Sequence, residues 1–107
     1  MKEVVYEDVV FKVGTTAREN WTLIDEEDQD YYWFHLSSFA SCHVICCSNI
    51  LTPSLLQKGS ELCKKNTKYR AIPKMRVNYT PLSNIKKGEK EGSVYFGSNR
   101  KVKNIVV

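Results

Sequence analysis

Several things are missing from this chain, and each absence removes a class of function. No stretch approaches the roughly 18 uninterrupted apolar residues that a membrane span requires, so no membrane segment is expected. The opening Met1-Lys2-Glu3-Val4-Val5-Tyr6 lacks the long apolar run of a secretion signal. The sequons at Asn20-Trp21-Thr22 and Asn78-Tyr79-Thr80 therefore read as chance matches, and a cytoplasmic or nuclear location is expected. There is no CxxC pair, no HExxH and no GxSxG elbow, and the 5 glycines match no phosphate-binding loop. The 4 cysteines (Cys42, Cys46, Cys47, Cys63) do not resemble a disulfide framework, because adjacent Cys46 and Cys47 would point to opposite faces of a strand. Reduced, buried thiols are expected instead. Zinc needs three or four converging ligands, and alternation likewise splits Cys42 from His43. No metal and no cofactor is expected. A triad of Ser37, Ser38 or Ser41 with His35 or His43 and Asp30 can be drawn. Serines in a tight turn are ordinary, however, because their hydroxyls satisfy local backbone groups.

Charge is also missing locally. Residues 31 to 57 contain no Asp, Glu, Lys or Arg, yet hold three of the four cysteines and both histidines. Aromatic and β-branched residues dominate Tyr31 to Leu36 and Cys42 to Cys47, with a Ser-rich break between them, which reads as two core strands joined by a short turn. Alternation places Trp33 and His35 on one face, and Tyr32, Phe34 and Leu36 on the other. If residues 37 to 41 form the loop, Leu36 lies opposite Cys42 and His35 opposite His43, flanked by Trp33 and Ile45. A slip of one residue would destroy this arrangement.

At 107 residues, 42% of them hydrophobic, the chain is expected to be one domain with its own core. Val9 to Val13 reads as a strand after a short lead-in at Val4 to Tyr6. Gly14 ends it, and Asn20 is expected to cap a short helix reaching about Gln29. Thr52-Pro53 opens the clearest helix, with Leu55, Leu56, Gly59, Leu62 and Cys63 on one apolar face. Met75 to Thr80 alternates as a strand and Pro81 to Asn84 turns. Lys86 to Glu91 reads as a charged loop. Residues 92 to 96 and 102 to 107 read as a final hairpin around Gly97-Ser98-Asn99. The sum is an α+β domain: a mostly antiparallel sheet with one main helix and one short helix packed on it.

The net charge of +4 is unevenly spread. Residues 1 to 30 carry nine acids and three bases, whereas residues 58 to 107 carry three acids and thirteen bases. A basic half suggests a polyanionic partner, with nucleic acid favoured over membrane; the plain alternative is a solvated lysine surface balancing an acidic one. Cations at Lys64, Lys65, Lys68, Arg70, Lys74, Arg76, Lys86 and Lys87 would meet phosphates. Trp33, Tyr79 and the two histidines would meet bases if exposed, though core is the favoured reading for Trp33.

Four segments together resemble the NFACT-R RNA-binding domain family. Val13-Gly14-Thr15-Thr16-Ala17-Arg18-Glu19-Asn20-Trp21-Thr22-Leu23 is similar to its "VG … N … L" segment, and Asp30-Tyr31-Tyr32-Trp33-Phe34-His35-Leu36 to its "D-x-W-F-H" strand. Ser41-Cys42-His43-Val44-Ile45 is similar to "S-x-H-V", and Val77 through Lys87 to "V-x-Y-T-P-x-x-N-V-K-K". The resemblance covers nearly the whole chain and is nearest to members in which the domain stands alone before a coiled-coil tail. Ala40 near a family glycine, and Trp21 where an acid often follows Asn20, depart from the pattern. The resemblance implies RNA binding, of tRNA or ribosomal RNA, in translation and ribosome quality control, with DNA as a second nucleic-acid partner. On it, Arg18, Asn20, Trp33, His35, Ser41 and His43 are expected to form a non-catalytic pocket, and Thr80, Asn84, Lys86 and Lys87 a phosphate-facing rim. The rivals are an RNA-processing enzyme using the paired histidines for acid–base work, and a protein-interaction module with a basic face. The oligomeric state is left open.

Overall fold

The structure, a computed structural model, describes all 107 residues. The chain runs β1 (Lys2–Tyr6), β2 (Val9–Gly14), α1 (Ala17–Glu26), β3 (Tyr32–Leu36), β4 (His43–Cys46), α2 (Pro53–Lys65), β5 (Arg76–Pro81), a 3-10 turn (Leu82–Asn84), β6 (Ile85–Lys87), β7 (Val94–Phe96), a second 3-10 turn (Asn99–Lys101) and β8 (Lys103–Val106). Six strands form an antiparallel sheet in the order β1-β2-β4-β3-β5-β8, and β6 and β7 form a separate two-stranded ribbon. This is the expected α+β class, with the uncharged hairpin β3–β4 at the centre of the sheet. No helix is long and apolar enough to cross a membrane.

Alternation along the central strands sorts their side chains into two cores. Phe34, Leu36, Val44 and Cys46 join Phe11, Val13 and Val77 on one face, under Leu55, Leu62 and Cys63 of α2. Trp33 and Ile45 point the other way, into a smaller core with Leu23 and Ile24 of α1 and with Leu82 and Ile85. Helix α2 begins as expected, with the Thr52 hydroxyl accepting from Leu55 N–H and Pro53 in the first turn. Its Gly59 lies directly on Phe34, where a Cβ would come within 2.6 Å of the ring. Phe34 is fully buried and stacked on Tyr79, so it has little room to retreat. Gly59→Ala is therefore expected to destabilise by about 1–2 kcal/mol, crowding outweighing the gain in helix propensity. A Tm lowered by roughly 5–15 °C in a thermal melt would show this, and an unchanged or raised Tm would mean that Phe34 yields freely.

Three expectations are corrected. The lead-in at Val4 to Tyr6 is a full strand, β1, turned onto β2 by Glu7 and Asp8, both at positive φ (51° and 63°) as a tight type I′ hairpin requires. Asn20 does not cap α1. Thr16 does, its hydroxyl accepting from Glu19 N–H, while the Glu19 carboxylate accepts from Thr15. Asn20 sits one turn inside the helix. Finally, no C-terminal hairpin forms. β7 pairs with β6, taking Lys86 and Lys87 out of the expected loop, and β8 crosses to the free edge of β5. Both pairings bury apolar edges (Ile85 on Phe96, Val77 on Ile105) that a local hairpin would leave open.

Candidate nucleic-acid interface

The register of β3 and β4 pairs Trp33 with Ile45 and Phe34 with Val44, so the next position sets His35 opposite His43. Their ring centroids are 5.2 Å apart. Trp33 lies beneath both: parallel to His35 at 5.5 Å and edge-on to His43 at 5.3 Å. The pairing expected from the sequence is present. Trp33 itself is 1% exposed and belongs to the core, so it offers no face to a base.

The two histidines differ chemically. Trp33 Nε1–H donates to His43 Nδ1 at 3.1 Å, and an indole can only donate, so that nitrogen must stay unprotonated. Burial first, and then the neighbouring His35, pull the His43 pKa down to about 3. The backbone of Gly92, in the same basin lining, acts the other way and favours the charged ring. His35 is half-buried and its Nδ1 lies 2.7 Å from the Leu36 carbonyl, which can only accept, so Nδ1 carries the proton. Burial also lowers the pKa of His35, opposed by that carbonyl. Its Nε2 makes no protein hydrogen bond.

Asn20 ties helix α1 to this pair. Its Oδ1 accepts the backbone N–H of His43 at 3.2 Å, next to the end of β2. Gly14 is needed there for space: a Cβ would meet Asn20 Oδ1 at 2.2 Å. Trp21, one residue on, donates from Nε1 to Ser93 O and so holds the β6–β7 loop that presents Gly92 to His43. Ser41 is spent on the hairpin end, where its hydroxyl accepts from Leu36 N–H and donates to the Cys42 carbonyl.

His35, His43, Asn20 and Ser41 line one basin of about 820 Å³. Its cations are Lys2, Lys65, Lys68 and Arg70, against one carboxylate, Glu91. None of the four is ion-paired. Lys2 instead donates to Asn66 Oδ1 and Arg70 to the Thr67 carbonyl, which holds both at the rim.

The rest of the expected site lies elsewhere. Arg18 is exposed on α1 but outside the basin's lining. Thr80 and Asn84 are buried and do not form a rim. The Thr80 hydroxyl donates to the Lys101 carbonyl, and the Asn84 amide bridges Thr80 Oγ1, Ser98 O and Ser98 N–H. They fasten the second 3-10 turn to the sheet. Lys86 and Lys87 are exposed on β6, where Lys87 pairs with Asp25 at 3.0 Å and lies over the Trp21 ring. Lys2 was not singled out by any local signal, since its place beside the end of α2 depends on the whole sheet. A second groove, of about 460 Å³, is lined by Tyr32, Tyr79, Arg100, Lys101 and Lys103 among others.

Fold and site together define an α+β domain whose sheet carries a cation-rimmed basin over a histidine pair. No protein-family model and no curated protein matches the chain. Among solved structures it is similar to the C-terminal part of the fibronectin/fibrinogen-binding protein from Streptococcus suis, with a TM-score of 0.89 and 20% identity. The match covers 99% of this chain but 44% of that one, so this chain spans less than half of the neighbour's length. At that identity the likeness establishes the fold.

Proposed function

We propose that this domain binds RNA in the basin over His35 and His43. The observation that carries the reading is the convergence of four unpaired cations on a basin floored by hydrogen-bonding groups. Such a rim attracts phosphates irrespective of sequence, and the floor can then select among polyanions. The four-segment resemblance to NFACT-R domains supports the same reading. From it come the narrower parts of the proposal: tRNA or ribosomal RNA as the partner, a role in translation and ribosome quality control, and a cytoplasmic setting. DNA is the competing polyanion.

A two-histidine acid–base enzyme is less well supported. His43 Nδ1 is held by the Trp33 N–H and the pKa of about 3 keeps the ring neutral near pH 7, which leaves His35 alone suited to proton transfer. A protein-binding role, such as the neighbour's name states for that protein, would use the same basic surface on an acidic partner.

Anisotropy titrations against tRNA, single-stranded RNA, duplex DNA and fibronectin over a salt series separate these readings. Combined Lys65→Ala, Lys68→Ala and Arg70→Ala is expected to weaken RNA binding about tenfold or more. It should also flatten the logarithmic salt slope by about 2, since each single-strand phosphate contact contributes about 0.7. Lys86→Ala with Lys87→Ala should change affinity less than about threefold, because Lys87 is already held by Asp25. RNA binding absent at low salt, or insensitive to the triple substitution, would overturn the reading.

A further inference from the structure

The basin floor has a polarity that its cations do not explain. No buried side-chain nitrogen or oxygen in the protein lacks a partner. Floor atoms without protein hydrogen bonds must therefore open to solvent, among them His35 Nε2 and Asn20 Nδ2. Their chemistry is set from behind. His35 Nε2 is an acceptor because Nδ1–H is committed to the Leu36 carbonyl. Asn20 Nδ2 is a donor because Oδ1 is committed to His43 N–H. His43 joins them, its backbone held by Asn20 and its ring 5.2 Å from that of His35. A phosphate oxygen only accepts and so fits the amide but not the imidazole. The matching ligand group both donates and accepts.

An RNA strand offers two such groups, a base edge and the ribose 2′-hydroxyl. A base inserted edge-on requires a flat side chain to stack against. The 18 residues that line the basin include no Phe, Tyr or Trp. Trp33 already covers one face of His35, while Phe39 and Tyr69, on neighbouring segments, pack on each other at 4.4 Å. The hydroxyl remains. Resting on the RNA-binding reading above, we infer that the basin floor reads a ribose 2′-hydroxyl, with His35 Nε2 accepting a hydrogen bond from it and Asn20 Nδ2 donating one to its oxygen. The cations hold the flanking phosphates. His35 is thus a specificity residue that separates RNA from DNA with little regard to base sequence.

The test uses one single-stranded sequence synthesised in all-ribo, 2′-deoxy and 2′-fluoro forms, titrated by anisotropy at one moderate salt concentration. The 2′-fluoro form keeps an RNA-like sugar pucker but has no proton to give. The wild-type protein is expected to bind the ribo form about tenfold more tightly than either of the others, the worth of a buried hydrogen bond. His35→Phe keeps a ring over Trp33 and removes the acceptor. It should lower ribo affinity to the deoxy level, with deoxy affinity and salt slope unchanged. Equal wild-type affinity for the ribo and 2′-fluoro forms would overturn the inference while leaving RNA binding intact. So would a His35→Phe loss shared equally by all three. Failure of every form to bind would overturn the RNA reading itself. The wild-type series decides the matter even if His35→Phe does not fold.

Discussion

Between about pH 6.5 and pH 5 the protein is expected to lose roughly 1 kcal/mol of stability per pH unit through His43 alone, the slope steepening toward about 1.4 as pH falls. The folded pKa of about 3 lies below the ordinary histidine value of 6.5, so in this window the unfolded chain binds a proton that the folded one refuses. The stability is fully present above pH 6.5. It drains as pH falls and is gone once the folded pKa is passed, a total of roughly 5 kcal/mol. His35, whose pKa is also lowered, acts in the same direction. The cause is burial first and the neighbouring His35 second; a proton on His43 Nδ1 would in addition face the Trp33 N–H donor. Urea melts at about pH 7.5, 6.5 and 5.5 would read the slope directly. Glu19 does not blur this window, because its pKa falls from 4.5 to about 2 through bonds from Thr15 and the N-terminus. Its titration lies at lower pH. A midpoint that stays flat over this range would contradict the burial and bonding assigned to His43.

Trp33→Ala is expected to cost about 3–5 kcal/mol, a large share of the roughly 5–15 kcal/mol that holds a domain together. The indole fills the smaller core between Ile45, Leu82, Ile85 and α1. Its loss opens a cavity, removes the stacking under His35 and leaves His43 Nδ1 without its donor. Circular dichroism in urea should show a strongly lowered midpoint, or a chain already unfolded in water. Trp33→Phe keeps most of the volume and removes only the N–H, so its smaller loss isolates the hydrogen bond. With that donor gone, His43 should also accept a proton more readily, raising its pKa in an imidazole NMR titration. A cost below about 1 kcal/mol for the Ala variant would mean that Trp33 is not the packing centre described here.

The floor of the site was legible because its signals are local. An uncharged, aromatic run broken by serines specifies a hairpin, and the length of the break sets which residues face each other across it. That was enough to place His35 against His43. The start of α2 was legible for the same reason, since Thr52 and Pro53 act within one turn. Thr16-Ala17-Arg18-Glu19 carries an equally local capping-box signal for α1, and it prevails over the general N-cap preference of Asn20. The resemblance set Asn20 in one pocket with His43, but the bond between them was hidden from local pattern because the partner is 23 residues away. Of the rim, Lys65, Lys68 and Arg70 were legible as part of the basic half, whereas Lys2 was hidden in the same sense. Lys2 meets Lys65, Lys68 and Arg70 only after β1 has joined the sheet and α2 has crossed it. Thr80 and Asn84 read as polar surface in the sequence, but each has enough partners to be buried at no net loss of hydrogen bonds. The pairing of β8 with β5 was decided by an open strand edge, which no pattern within residues 92 to 107 reports.

The strand order leaves β1 and β8 as the outer strands, and each has one row of backbone groups with no neighbouring strand. Val5 and Val106 on these strands are more than half exposed, a combination that invites a foreign strand to add on. Lys2 and Glu3 on β1, and Lys103 on β8, put charge where such a strand would dock. Two of these guards also face the concave sites, Lys2 the basin and Lys103 the second groove. On the RNA-binding reading proposed above, removing Lys2 would weaken binding in the basin and at the same time unguard an edge, so self-association could pass for altered affinity. Lys65, Lys68 and Arg70 lie at or beyond the end of α2 and belong to neither edge strand, so substitutions there leave the edge charges in place.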